Sequence, residues 1–582
     1  MQFISGLFPL AVLGVIVWAV IRGLQGRKSG PGGPQDQAAA LGHLFLYGLL
    51  LLTLALTASG AVQVAQEFGG RSGARGEGNG NLATGLALVI VAGPAYVLLL
   101  RHVLGRLRSS AAERSAASWT VYLDAAMFIA LMVTLVSSYN VLDALTGPKD
   151  FDFDSLAGPV IWGGVWATHW FWLKASFGVR GDVHLASGSA AGLVAASIGA
   201  GGVLGALLRQ AYDEVTNRPG TVPSARQWLI LAGLGAVVWS WYGLREYRRA
   251  TRTDLWHVQV ILVGSLGGLA TAIVAMSMAL YQSLVWVVGD PAESRAKEHF
   301  ELLPVSLALL LVGLASWLYH RSVLGRAAEI ERTEPIRAYD YLMAAAGLAA
   351  TAVATSVAIV ATIDALTPEP AFSDARIANR VLLAVTLATI GGPVWWAFWS
   401  RIGRHRVADP SGELTSIVRR VHLIALFGIG GLTALGCALA VLIPSLRDLL
   451  DGTFDGESVR SVGVPLSILV SVTGVAWYHL RVFRSDQSTL DELRPLVVPT
   501  VHRFVVVASP DSPVPEQLAA ATGAAVRQWT RLDGVVEPPF DAMSVAGASA
   551  SIPAGDLLVL ADSQRWSVIP LATPWPTEPV LR

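Results

Sequence analysis

The sequence predicts an all-α integral membrane protein of about 13 transmembrane helices, with a small α/β domain at its C-terminal end. Three observations carry that reading. Of 582 residues, 53% are hydrophobic and 14% charged, whereas soluble domains run near a quarter charged. Apolar runs long enough to cross a bilayer, roughly 20 residues each, follow one another to about residue 480. Short motifs at the ends of those runs then recur in order later in the chain. The mean hydropathy of +0.53 agrees.

The runs lie at about 3–21, 41–66, 82–100, 118–142, 157–173, 186–208, 227–244, 257–288, 302–320, 339–363, 380–400, 421–443 and 462–480. No basic residue precedes the first, and "RGLQGRKSGPGGPQDQ" follows it. A cleavable signal peptide carries its charge in front, so 3–21 reads as an anchor whose N-terminus lies outside. Loops then alternate in charge. Those after odd-numbered runs, such as "REYRRATRTD", hold about 22 Lys and Arg, and those after even-numbered runs about 12. Excess Lys and Arg marks the cytoplasmic side. The C-terminal domain is therefore expected in the cytoplasm, and the protein in a bacterial inner membrane.

After the first run the chain reads as six helical hairpins. "WYGLR" at 241–245 returns as "WYHLR" at 477–481, "RHVLGR" at 101–106 as "RSVLGR" at 321–326, and "DALTG" at 143–147 as "DALTP" at 364–368. These matches suggest two tandem six-helix repeats, 39–252 and 253–486, after an anchor and linker at 1–38 and before a tail domain at 487–582. Each repeat has an even number of spans, so the copies must share orientation. In the W-x-x-x-R motif, residues four apart share one helix face. Trp241 with Arg245, Trp317 with Arg321, and Trp477 with Arg481 read as interface anchors, ring in the headgroup layer and guanidinium in water; a lipid-headgroup site is the alternative.

Candidate chemistry is sparse. Zero formal net charge gives no reason to expect nucleic acid, and the single Cys437 excludes a disulfide framework. Each outgoing helix opens on a ring residue: His43, Tyr122, His184, His257, Tyr341 and His422. Imidazole and phenol suit a membrane interface, but His43, His184, His257 and His422 are also the cofactor candidates, since histidine is the commonest metal ligand. No metal motif occurs, so no cofactor is expected; haem held by a pair such as His184 and His422 is an alternative. Charged groups are almost absent at mid-depth. Asp124 is the nearest, and with Asn140 it forms the candidate intramembrane polar site. Gly188–Gly192 and Gly201–Gly205 have the small-xxx-small spacing of close helix packing.

The tail reads as a strand at "RFVVVAS", a helix over "PVPEQLAAATGAAVRQWTRL", and a strand pair at "GDLLVLAD" and "RWSVIPLA". The hairpin pattern ("VYLDAAMF" to "DALTGP", then "GPVIWGGVWATHW", and again "AYDYLMAA" to "DALTP" and "WYHLR") resembles a family of bacterial multi-pass membrane proteins defined only as a domain of unknown function. That resemblance implies no activity and no site residues. With no catalytic motif, the expected role is a non-enzymatic scaffold or accessory subunit. A carrier or lipid-handling permease with a site between the repeats is the alternative, and a redox or haem-binding subunit the second. The expected partners are the bilayer and other membrane subunits.

Overall fold

The structure is a computed structural model that describes residues 34–571 apart from 70–79, 149–150, 178–182, 217–224, 247–251, 325–331, 368–373, 494–500, 534–536, 551, 553–554 and 562–564. The first apolar run, 3–21, lies outside the described residues. The other twelve runs are all helical. They are α1 (Pro34–Gly69), α2 (Gly80–Ser109), α3 (Ala117–Thr146) and α4, which runs Ala157–Ala167, Thr168–Lys174 and Ala175–Phe177. Then come α5 (Val183–Val215), α6 (Ala225–Glu246), α7 (Asp254–Val287) and α8 (Leu303–Leu324). The last four are α9 (Glu334–Leu366), α10 (Asp374–Ala408), α11 (Ile417–Leu450) and α12 (Gly463–Leu493). Eleven described helices are long and apolar enough to cross a membrane. The exception is α4, whose sequence carries four tryptophans, a residue that favours the membrane interface.

Glycine closes the hairpins. A Cβ built on Gly60 would lie 2.9 Å from the Gly85 carbonyl oxygen, and one on Gly268 or Gly313 would lie 2.8 Å from the other's carbonyl. On Gly347 it would lie 2.3 Å from the Trp395 backbone nitrogen, and on Gly391 2.9 Å from the Gly347 carbonyl. In α5, Gly199 meets the Ala232 backbone at 2.2 Å, and Gly235 of α6 meets Ala196 at 2.2 Å. These backbones approach because a glycine on at least one side presents no side chain, which is how membrane helices associate where apolar burial gives no net drive. Of the spacings expected to pack, Gly188 and Gly192 face α6, while Gly201 and Gly205 face Leu309 and Val305 of α8.

Contacts sort the twelve helices into three groups of four, α1–α4, α5–α8 and α9–α12. In the first two, the first helix packs on the other three and the third packs on the fourth. In the last, α9 packs on α10 and α11, its Ser356 reaches Ser471 of α12 at 2.9 Å, and Gly430 of α11 lies against Ala476 of α12. Between groups, α3 lies on α5 and α6, and α7 lies on α9 and α10. Pro159, Pro304 and Pro465 fall in the first turns of α4, α8 and α12, where no helical bond is lost. Pro94 and Pro393 are interior to α2 and α10.

The chain divides into two compact units, 1–480 and 481–582. The second holds a four-stranded sheet in the order β2-β1-β3-β4, with β1 Val501–Ala508, β2 Ala525–Thr530, β3 Gly555–Ala561 and β4 Trp566–Pro570. Its helices are α13 (Val514–Thr522) and α14 (Ala542–Ala550). β1 pairs in parallel with β2 and β3, and β4 antiparallel with β3. The single helix expected over 513–532 is corrected here. It stops at Thr522, because Gly523 takes the left-handed conformation (φ 65°) that ends helices, and "AVRQWT" becomes the edge strand β2.

Gly391 and Gly392 give a built-in comparison, since nothing lies within 4 Å of a Cβ on Gly392. Gly391→Ala should destabilise the protein by about 1–3 kcal/mol through overpacking, and Gly392→Ala should be near neutral. Melting of the two purified variants in detergent checks this; equal melting temperatures would mean that the α9–α10 backbones are not in contact.

Candidate functional site

Two clusters of buried ionisable residues lie at one end of the helices; Asp213 and Asp364, buried near the other end, pair with Arg209 and Arg380. The first begins with Asp124, seven residues into α3 and so about 10 Å from its start at 1.5 Å per residue. Its Oδ1 lies 2.6 Å from Nδ1 of His184, which opens α5. His184 Nε2 lies 3.0 Å from the Lys174 ammonium of α4. Asp124 is 3% exposed and His184 2%. Ammonium is donor only and carboxylate acceptor only. The imidazole between them is therefore neutral, donating from Nδ1 to Asp124 and accepting at Nε2 from Lys174. Both of its nitrogens are engaged.

Beside this chain, the Tyr122 hydroxyl lies 3.0 Å from His169 Nε2. His169 Nδ1 lies 2.8 Å from the Val165 carbonyl, so Nδ1 carries the proton and Nε2 accepts from the phenol. Trp170 packs edge-on to His184, and the Lys174 ammonium sits 3.9 Å over the Trp170 ring. Thr168–Lys174 is wound as a π-helix, a winding that often appears at functional places. It brings His169, Trp170 and Leu173 all to the buried side.

The second cluster joins α9, α10, α11 and the short helix Pro410–Leu414 that precedes α11. The Tyr341 hydroxyl donates to Glu413 Oε1 at 2.8 Å and accepts from Arg419 at 2.7 Å. Arg337 reaches Glu413 at 3.3 Å and Glu334 at 2.7 Å. Asp340, fully buried, lies 3.1 Å from Arg332 and 3.5 Å from Arg401. Breaking one partner out of such a network strands a buried charge, so the cluster binds four segments into one arrangement.

The candidates divide accordingly. Asp124 and His184 are brought together; Asn140 is not, lying exposed 16 residues further along α3. His43 takes a hydrogen bond from Arg106 at 2.8 Å and stands 3.4 Å from Glu113. His257 bonds the Thr253 carbonyl at its own helix start, 2.9 Å. His422 packs its ring against Tyr341, Trp399 and His479, tilted on the first two and edge-on to the third, a different cluster from that of His184. Among the described residues, no three His, Cys, Asp or Glu are placed to hold a metal. The anchor motif forms cation–π stacks at 4.2 Å for Trp241–Arg245 and 5.8 Å for Trp317–Arg321. Glu413 and Asp340 went unremarked in the sequence. The signal for Glu413 was the placing of a glutamate four residues before a long helix, at Glu113 before α3 and at Glu413 before α11.

Those two glutamates are 300 residues apart, as are the starts of α3 and α11 and the ring residues Tyr122 and His422. Each glutamate meets the ring that opens its group, His43 or Tyr341. The ring of the third helix packs in each case on a histidine of the fourth, His169 or His479. The chain resembles an uncharacterised family with repeated units. A domain of unknown function (DUF5671) matches it twice, over residues 43–168 and 337–475. The matched stretches run from within α1 into α4 and from within α9 into α12, and set hairpins one and two against five and six. The pentapeptide register instead sets one to three against four to six. Hairpins built alike give matches in any register that keeps their phase. No curated protein and no solved structure matches the chain.

In the tail, Glu537 holds the loop after β1. Its carboxylate accepts from the Ser509 hydroxyl at 2.8 Å and the Ser512 hydroxyl at 2.7 Å. Partial burial pushes this carboxyl up, but Ser512, Ser509 and Arg531 together hold it below the usual glutamate range.

Asp124→Ala should cost about 1–3 kcal/mol, the cost of a buried donor left without an acceptor, and His184→Phe about 3–5 kcal/mol, since it leaves a buried carboxylate without its partner. The double variant should cost much less than their sum, read from melting in detergent; additive losses would mean the two do not interact. For Glu537, a pKa lowered on folding contributes stability that is complete above the unfolded glutamate value, about 4.3, and fades as pH falls through the folded one. Glu537→Gln should therefore weaken the tail unit at pH 7, with the gap to wild type closing at acid pH. A gap unchanged between pH 7 and pH 3 in chemical denaturation would contradict it.

Proposed function

We propose that the protein is a non-enzymatic scaffold or accessory subunit of a bacterial inner membrane, with its N-terminus outside and its C-terminal domain in the cytoplasm. One observation carries this reading: the buried ionisable groups are partnered with one another across helices. Asp124 meets His184, His184 meets Lys174, and Glu413 gathers Tyr341 and Arg337. Such pairs fix the order and register of helices, and the glycine contacts shut the hairpins between them. Neither feature needs a substrate, a cofactor or nucleic acid. Its partners are lipid and other membrane polypeptides, reached through the outward faces of the helices.

The carrier reading keeps one observation of its own. Asp124 Oδ2 is buried with no hydrogen-bond partner, and an ionisable group within a membrane span often marks an ion path.

Cysteine labelling separates the two readings, and Cys437→Ala supplies the background because Cys437 is the single cysteine. Cysteines at Ser356 and Ser471, which bond each other between α9 and α12, should resist impermeant thiol reagents from both sides. Reaction from either side would favour a carrier with a water-filled path. Cysteines placed at 152 and 409 should label from opposite sides of the membrane; labelling from one side would overturn the orientation.

A further inference from the structure

The three helix groups meet by one rule. The third helix of a group lies against the first hairpin of the next: α3 on α5–α6, and α7 on α9–α10. Each meeting is pinned at the same end. Arg226, at the start of α6, pairs with Asp143 near the end of α3 at 2.8 Å. Asn379, near the start of α10, bonds the Asp290 backbone just after α7 at 3.0 and 2.7 Å. Burial follows the rule. Across the most apolar stretch, 50% of α3 and 56% of α7 is buried, but 0% of α11.

α11 is the third helix of the last group, and among the described residues no further hairpin covers it. At the 300-residue offset, Ile443 stands where Asp143 stands in α3. Leu439, Gly436 and Leu432 continue the same face at helical spacing. Leu432, Leu439 and Ile443 are 71%, 51% and 65% exposed, and nothing lies within 4 Å of a Cβ on Gly436. At the other end, no third helix precedes the α1–α2 hairpin among the described residues. Ile90 and Val91 of α2 are exposed. The main contacts between groups run from the first to the second and from the second to the third, which leaves these two surfaces unmatched among the described residues.

We propose that α11 of one molecule receives the α1–α2 hairpin of a second copy of this chain, continuing between molecules the interface that occurs twice within one. The contact is heterologous, each copy offering a different surface, so assembly closes into a ring or runs on as a chain. Gly436 supplies the close approach that membrane helix packing favours. The proposal does not depend on the scaffold reading, since a carrier could assemble in the same way.

The test uses two differently tagged full-length chains, co-expressed in the Cys437→Ala background. One carries Leu439→Cys; the other carries a cysteine at Ile90, Val91 or Leu98. Oxidation in native membranes is expected to give a disulfide-linked pair carrying both tags, and Leu432→Trp on the α11 partner should abolish it. The proposal is overturned by the absence of that pair at all three α2 positions. Self-linking of Leu439→Cys alone, meaning α11 against α11, would also overturn it, as would linking of Leu439→Cys to a cysteine placed in the 3–21 run of its own chain. Mass measurement in lipid nanodiscs gives a second reading: oligomers for wild type and monomers for Leu432→Trp are expected, and a monomeric wild type would sink the idea.

Discussion

Backbone contact at glycine is the constraint on which the rest of the membrane unit depends. In hydrocarbon there is no gain from hiding a leucine against another leucine, because lipid tails are as apolar as the side chain. What remains is dispersion at short range, and that requires two helices to approach until their backbones touch. Gly60 with Gly85, Gly268 with Gly313, and Gly347 with Gly391 provide this in three hairpins, and in a fourth Gly199 lies against Ala232 and Gly235 against Ala196. With each hairpin locked, its ends are brought to fixed places, and the polar residues at those ends can be paired with accuracy.

That pairing explains how so many ionisable groups are tolerated at the helix ends. Asp124 would be expensive in an apolar setting by itself. It is held because His184 and Lys174 arrive from two other helices with the right donors in the right order. The same logic governs Glu413, which receives Tyr341 from α9 and Arg337 from the same helix. The first and last helix groups use one plan with different chemistry: His43 with Glu113 in one, Tyr341 with Glu413 in the other, and Tyr122 with His169 where the last group has His422 with His479. A plan kept while its residues change is what a structural role would leave behind, since packing and pairing can be satisfied by more than one set of side chains.

Much of this was legible in the sequence, for identifiable reasons. Apolar length marks a span without reference to anything else in the chain, and the described residues bear out all twelve runs that fall among them as helices. Small residues four apart were read as packing positions, and Gly188, Gly192 and Gly201 are in close contact. In the tail, alternation and turn residues located β1, β3 and β4. The strand β2 was missed because "GAAVRQWT" continues an alanine-rich helix, and its fate turns on the left-handed Gly523 and on an available edge of β1. Asn140 was grouped with Asp124 on polarity alone, although some four turns of helix separate them.

The sequence by itself determined which segments are apolar enough to be candidate membrane spans, that those among the described residues are helical, and that a small sheet-bearing unit follows. These are properties of composition and local period, and each can be read within a window of one or two helices. Only the tertiary structure decided that Asp124 faces His184, that Glu413 gathers Tyr341 and Arg337 (and that α11 is left bare where α3 and α7 are covered). Those depend on which helices lie side by side. All six hairpins carry nearly the same signals, so their order in space is fixed by shape complementarity between surfaces far apart in the chain.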